Sequence, residues 1–93
     1  GVIGERVIAG QIDRMAVTDR EVLLVDYKTN RQPPGDVTST PVAYLRQLAA
    51  YRALLRRIYP GREVRAGLVW TQGPRLDLIP PSLLDRWAPG GAP

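Results

Sequence analysis

No cysteine occurs among the 93 residues. Disulfides, thiolate zinc sites and cysteine-held iron–sulfur clusters are therefore excluded within the chain. Histidine is also absent, which removes the commonest general base and the usual imidazole metal ligand. Any catalysis must rest on carboxylates, lysine, tyrosine, hydroxyls or a metal held by oxygen. The longest aliphatic run, residues 22–25, is far short of the ~20 apolar residues a membrane helix needs. No basic stretch followed by an apolar one opens the chain as a signal peptide would. The expectation is a cytoplasmic protein with no membrane partner.

What is present is positive charge, formally +4. That fits a polyanionic partner such as DNA. Lys28 is the single lysine, so the excess is arginine, a bias that a GC-rich genome also produces. Ninety-three residues make one small domain, and a chain of this size buries only about 60–65% of its unfolded surface. It begins at Gly1 and has Met15 as its one methionine, which reads as a piece of a longer polypeptide.

Residues 6–17 alternate as a strand does, with Ile8, Gly10, Ile12 and Ala16 on one side and Val7, Ala9, Gln11, Asp13 and Met15 on the other. Thr18, Asp19, Arg20 and Glu21 make a polar turn. Residues 22–29 form a second strand, nearly continuous in apolar residues up to Asp26, as in a central strand covered on both faces. The two strands are close enough for an antiparallel hairpin. After a loop over residues 30–40, Thr40 as N-cap and Pro41 at the first helical position start a helix over residues 42–59. Tyr44, Leu48, Tyr51, Leu55 and Ile58 form its apolar stripe, with Arg46, Arg56 and Arg57 toward the other side. Pro60-Gly61 ends it. Residues 64–71 and 76–79 read as two further strands, Ser82 caps a short helix to Trp87, and residues 88–93 read as a flexible tail. The order predicts an α/β sandwich on a mixed sheet.

The chemistry gathers at Asp26-Tyr27-Lys28. Residues two apart share a strand face, so Asp26 and Lys28 project together. By itself an Asp-x-Lys at a strand end reads first as a surface salt pair. Asp13 changes the reading, because a hairpin turning about Asp19 and Arg20 sets Asp13 opposite Asp26. Like charges so placed repel and resist double ionisation, and a hard divalent cation resolves the conflict. On the helix, Gln47 lies one turn before Tyr51 on the same face.

Gly10-Gln11-Ile12-Asp13-Arg14, Val25-Asp26-Tyr27-Lys28-Thr29 and Gln47-Leu48-Ala49-Ala50-Tyr51 resemble, in order and spacing, the motifs of RecB-like nucleases of the PD-(D/E)XK superfamily. The likeness continues through Tyr59-Pro60-Gly61, Leu68-Val69-Trp70-Thr71 and Leu76-Asp77-Leu78-Ile79-Pro80 and covers about residues 8–85. Within that superfamily it is most similar to the C-terminal end of AddA subunits of bacterial AddAB helicase–nucleases. The resemblance implies a restriction-endonuclease-like sandwich, a central mixed β-sheet flanked by helices, with residues 1–87 a partial nuclease core that lacks the family's N-terminal helix. It implies Mg²⁺ or Mn²⁺ held by Asp13, Asp26 and the Tyr27 carbonyl, and an attacking water positioned by Lys28. Gln47 and Tyr51 would support the site and contact DNA, and Arg14 would hold phosphate. It further implies an exonuclease-type deoxyribonuclease in double-strand break repair. Its partners would be DNA, the rest of a helicase polypeptide and a second subunit, at the bacterial nucleoid.

ATP would act only through helicase domains outside this chain, which has no Gly-x-x-x-x-Gly-Lys-Ser/Thr loop. Family members carry a further acidic or histidine ligand upstream. Here Glu5 is the only carboxylate before Asp13 and is expected to be too near it in the same strand to serve. The chain is therefore expected to bind metal weakly and to cleave DNA poorly by itself. Two other readings stand beside this one. One is a DNA-binding or scaffolding module of the same fold, against which the joint presence of Asp13, Asp26 and Lys28 argues. The other is a nuclease of the superfamily acting alone.

Overall fold

The computed structural model describes residues 12–29 and 31–88. Glu5, residues 6–11 of the expected first strand and residues 89–93 of the expected tail lie outside them. Four strands form one sheet in the order β1-β2-β3-β4. They are β1 (Arg14–Val17), β2 (Glu21–Lys28), β3 (Glu63–Trp70) and β4 (Arg75–Leu78). The sheet is mixed as expected: β1 is antiparallel to β2, β2 parallel to β3, and β3 antiparallel to β4.

The connections explain the polarity. Thr18 closes the β1–β2 hairpin, its N–H donating to the Glu21 carbonyl at 2.9 Å and its Oγ1 accepting from Glu21 N at 3.0 Å. A tight turn of this kind can only join antiparallel neighbours, whereas parallel β2 and β3 need a crossover. Helix α1 (Val42–Ile58) supplies it. Gly61, at φ +83°, takes the left-handed conformation that turns the chain out of α1 toward β3. A short α2 (Pro81–Arg86) follows β4.

Helix α1 packs on one sheet face. Val22 and Leu24 of β2, Val64, Ala66, Leu68 and Trp70 of β3, and Leu45, Leu48, Tyr51 and Leu55 of α1 are all buried there, with Ile79 and Leu84 beside them. Gly67 lies on the opposite face, where a Cβ would come within 3.0 Å of the Asp77 carbonyl, so a side chain there would push β4 away.

Four expectations change. Among the described residues β2 is central but deeply buried on the helix side only, and Leu76 and Leu78 on the other face are 53% and 44% exposed. A run of apolar residues cannot distinguish full cover from half cover. The N-cap of α1 is Pro41, without a side-chain hydrogen bond. The Thr40 hydroxyl donates instead to the Val37 carbonyl at 2.7 Å, closing the 3₁₀ turn Val37–Ser39. Likewise Pro80, not Ser82, caps α2, with Pro81 in its first turn. Ile58, assigned to the apolar stripe, is exposed at the end of α1, while Leu45 and Leu54 are buried.

Candidate active site

The β1–β2 ladder ends with Arg14 opposite Val25, so the next pair outward sets Asp13 against Asp26. Asp13 leaves the strand there, and its side chain takes over the pairing: Oδ2 accepts the Tyr27 N–H at 2.9 Å. The N–H and C=O of one strand residue point to the same edge. The Tyr27 carbonyl therefore faces the Asp13 side as well.

Asp26 sits near the carboxyl end of β2 on the helix face, with its side chain 10% exposed. Burial pushes its carboxyl above the usual aspartate value, and the neighbouring Asp13 carboxyl pushes it the same way, against the pull of Lys28. Asp13 moves oppositely. The hydrogen bond with Asp26, then the Tyr27 N–H, hold it below the ordinary value. The proton affinities of the two acids are thus driven apart, that of Asp26 upward and that of Asp13 downward.

Lys28 shares the helix face with Asp26, and its Nζ lies 2.6 Å from Asp26 Oδ2. Its backbone is pinned by β3, the Lys28 carbonyl accepting from Thr71 N at 3.2 Å and from Thr71 Oγ1 at 3.3 Å. From α1, Gln47 Oε1 accepts from Lys28 Nζ at 3.4 Å, and Gln47 Nε2 donates to the Tyr51 hydroxyl at 3.2 Å. The Tyr44 ring lies under the same ammonium, with its centroid 4.0 Å from Nζ.

The structure thus brings Asp13, Asp26, Tyr27, Lys28, Gln47 and Tyr51 into one cluster at the carboxyl ends of parallel β2 and β3, the end at which open α/β sheets bind ligands. Arg14 is not part of it. Paired with Val25, it shares the sheet face turned away from Asp26 and is exposed. Two carboxylates and a carbonyl form a set of hard oxygen donors, which suits Mg²⁺ or Mn²⁺ rather than a soft metal. Among the described residues no group of three or more acidic, histidine or cysteine side chains gathers to hold a metal.

The family model of the PD-(D/E)XK nuclease superfamily matches residues 2–80. The chain belongs to the PD-(D/E)XK nuclease superfamily. Neither a curated protein nor a solved structure matches it. The mixed four-stranded sheet with its helices is the restriction-endonuclease-like α/β fold of that superfamily. Membership makes this a nuclease-type domain, of a superfamily that generally uses divalent metal ions, and implies DNA as substrate.

Sequence reasoning assigned Tyr44 to the core stripe and passed over its contact with Lys28. The signal was available, because Tyr44 precedes Gln47 by three residues and Tyr51 by seven, which places all three on one helix face. Trp70, Asp77 and Arg75 were also missed as a unit. The Trp70 indole N–H donates to Asp77 Oδ2 at 3.1 Å, Arg75 holds the same carboxylate by two bonds of 2.8 Å, and Arg75 also donates to the Pro34 carbonyl at 2.7 Å. No local pattern announces contacts that join a strand pair to a loop about forty residues earlier in the chain.

Proposed function

We propose that this domain hydrolyses DNA phosphodiesters with Mg²⁺ or Mn²⁺ as the exonuclease-type core of an AddA-like bacterial helicase–nuclease. Its setting is double-strand break repair in the cytoplasm, beside the nucleoid. The observation that carries the reading is the convergence of Asp13, Asp26 and Lys28 from adjacent strands within a PD-(D/E)XK match. The helicase context rests on the motif order and flanking residues, and with it the ATP requirement, the helicase polypeptide and the second subunit as partners. Residues 1–87 are the proposed nuclease core and residues 88–93 its tail.

In this scheme Asp13, Asp26 and the Tyr27 carbonyl would hold the cation, which would supply Lewis acidity and lower the pKa of water at the site. Lys28 directs its ammonium at the attacking water and at the phosphate oxygens, where negative charge grows during hydrolysis. Gln47 steadies Lys28 while anchored on the buried Tyr51 hydroxyl, and it lies exposed where a DNA backbone can reach it. Arg14, on the outer strand but the other face, is left a role only in holding DNA beyond the reacting phosphate.

A catalytically incomplete DNA-binding module of the same fold is the second reading. The donor set of only two carboxylates among the described residues favours it. Cleavage of linear DNA separates the two. In the helicase–nuclease polypeptide, Lys28→Ala is expected to lower Mg²⁺-dependent cleavage by about 100-fold or more, the scale of losing one charge-stabilising donor. The 93-residue chain alone should cleave weakly. Undiminished cleavage by Lys28→Ala would remove the nuclease assignment of this cluster, and strong Lys28-dependent cleavage by the isolated chain would overturn the weak-activity expectation.

A further inference from the structure

Lys28 meets three groups, and they do not respond alike to a bound cation. Asp26 Oδ2 is closest, at 2.6 Å. Gln47 Oε1 is a long contact at 3.4 Å. The Tyr44 ring centroid is 4.0 Å away, inside the distance of about 6 Å at which a cation is drawn to an aromatic face. The lysine side chain is 15% exposed, so this attraction acts on a side chain largely covered by its neighbours, and such contacts strengthen as water is excluded.

The Asp26 carboxylate that now holds Lys28 would be shared with a divalent cation if one bound there, and the ammonium would then be repelled by the added positive charge. The flexible four-carbon stem of lysine would then carry the charge toward water unless something else retained it. The face of an aromatic ring is untouched by that exchange. We propose that Tyr44 is a positioning residue, a seat that keeps Lys28 at the reaction centre once the cation has displaced it from Asp26; the inference rests on the metal-dependent nuclease reading.

The seat is rigid. Lys28 and Trp70 are register partners on β2 and β3, and the Tyr44 ring leans on the Trp70 ring at 6.1 Å with an interplanar angle of 50°. Trp70 is fully buried, and its indole N–H is tied to Asp77, which Arg75 clamps in turn. The place of the Tyr44 ring is thus set by a buried partner and not by Lys28. Because the ring face carries the contact, phenylalanine can replace tyrosine, whereas leucine keeps the apolar packing and loses the attraction.

The test uses the single lysine of the chain, whose side-chain resonances are identified without ambiguity. With saturating Mg²⁺, the Lys28 Hε signals should lie upfield of those of a free lysine side chain, shifted by the ring current. The shift should persist in Tyr44→Phe and vanish in Tyr44→Leu, with the rest of the spectrum dispersed. In the cleaving polypeptide, Tyr44→Leu should lower kcat about tenfold, the scale of a desolvated cation–π contact, with KM for DNA unchanged, and Tyr44→Phe should restore it. Unshifted Hε signals in the wild-type chain with Mg²⁺, or a Tyr44→Phe defect equal to that of Tyr44→Leu, would overturn the proposal. A ring-shifted Lys28 in a protein that cleaves nothing supports the seat and counts against the nuclease reading alone.

Discussion

Asp26 is subject to opposed demands. Burial and the Asp13 carboxyl beside it favour its protonated form, whereas Lys28 at 2.6 Å favours the charged one. Because its affinity for the proton is raised on folding, the metal-free fold loses stability as pH climbs above the unfolded value of 3.8 and through the raised one. Asp13, held low, contributes in the other direction: its stabilisation is present above 3.8 and is lost as pH falls through its depressed value. For this pair the metal-free optimum lies between the depressed value of Asp13 and the raised value of Asp26. Urea unfolding in chelator at a series of pH values should therefore show a decline on the alkaline side that Asp26→Asn flattens. An unchanged slope in the variant would mean that Asp26 is not the source of the decline. Cation binding reverses the preference, since it requires the ionised form. The acid pair was legible in the sequence because a short polar turn leaves few registers open, and the ladder observed from Arg14–Val25 to Val17–Val22 is the one centred on Asp19 and Arg20. Tyr44 was not, because a tyrosine on an apolar stripe looks the same whether it touches leucine or an ammonium.

The site depends on how strands and helix are spaced. Helix α1 must deliver Gln47 and Tyr44 over the end of β2, and β3 must hold Trp70 beside Lys28. Gly67 lets β4 close on β3, and the crowding a side chain would meet there comes from the Asp77 carbonyl and the Leu76 and Leu78 side chains. Gly67→Val is expected to cost about 1–3 kcal/mol in urea denaturation, the usual cost of overpacking, and to free the Trp70 indole N–H resonance from its hydrogen-bonded position as Asp77 moves. Full stability with an unchanged indole signal would show that β4 does not anchor Trp70. Strand and helix existence followed from periodicity, with edges within one residue for β2, β3 and β4. The caps did not. Thr40-Pro41 matches a helix start, yet the Thr40 hydroxyl has a nearer acceptor in Val37, which exists only because the loop before it turns as a 3₁₀ segment.

At the scale of the molecule, a small core under one helix supports a cluster of ionisable groups that are costly to bury. The domain therefore gains stability from whatever ion relieves the pairing of Asp13 with Asp26, by simple linkage between binding and folding. The fold class and the superfamily followed from three short motifs whose spacing the sheet explains, since adjacent strands and one crossover helix are all that is needed to assemble them. The central claim is that Asp13, Asp26 and the Tyr27 carbonyl together hold a divalent cation. Paramagnetic broadening by substoichiometric Mn²⁺, read in the amide spectrum of the chain, tests it even if affinity is low. The account predicts broadening concentrated at Asp13, Asp26, Tyr27 and Lys28 and abolished in Asp26→Ala. Broadening centred elsewhere, or unchanged by loss of the Asp26 carboxylate, would contradict it.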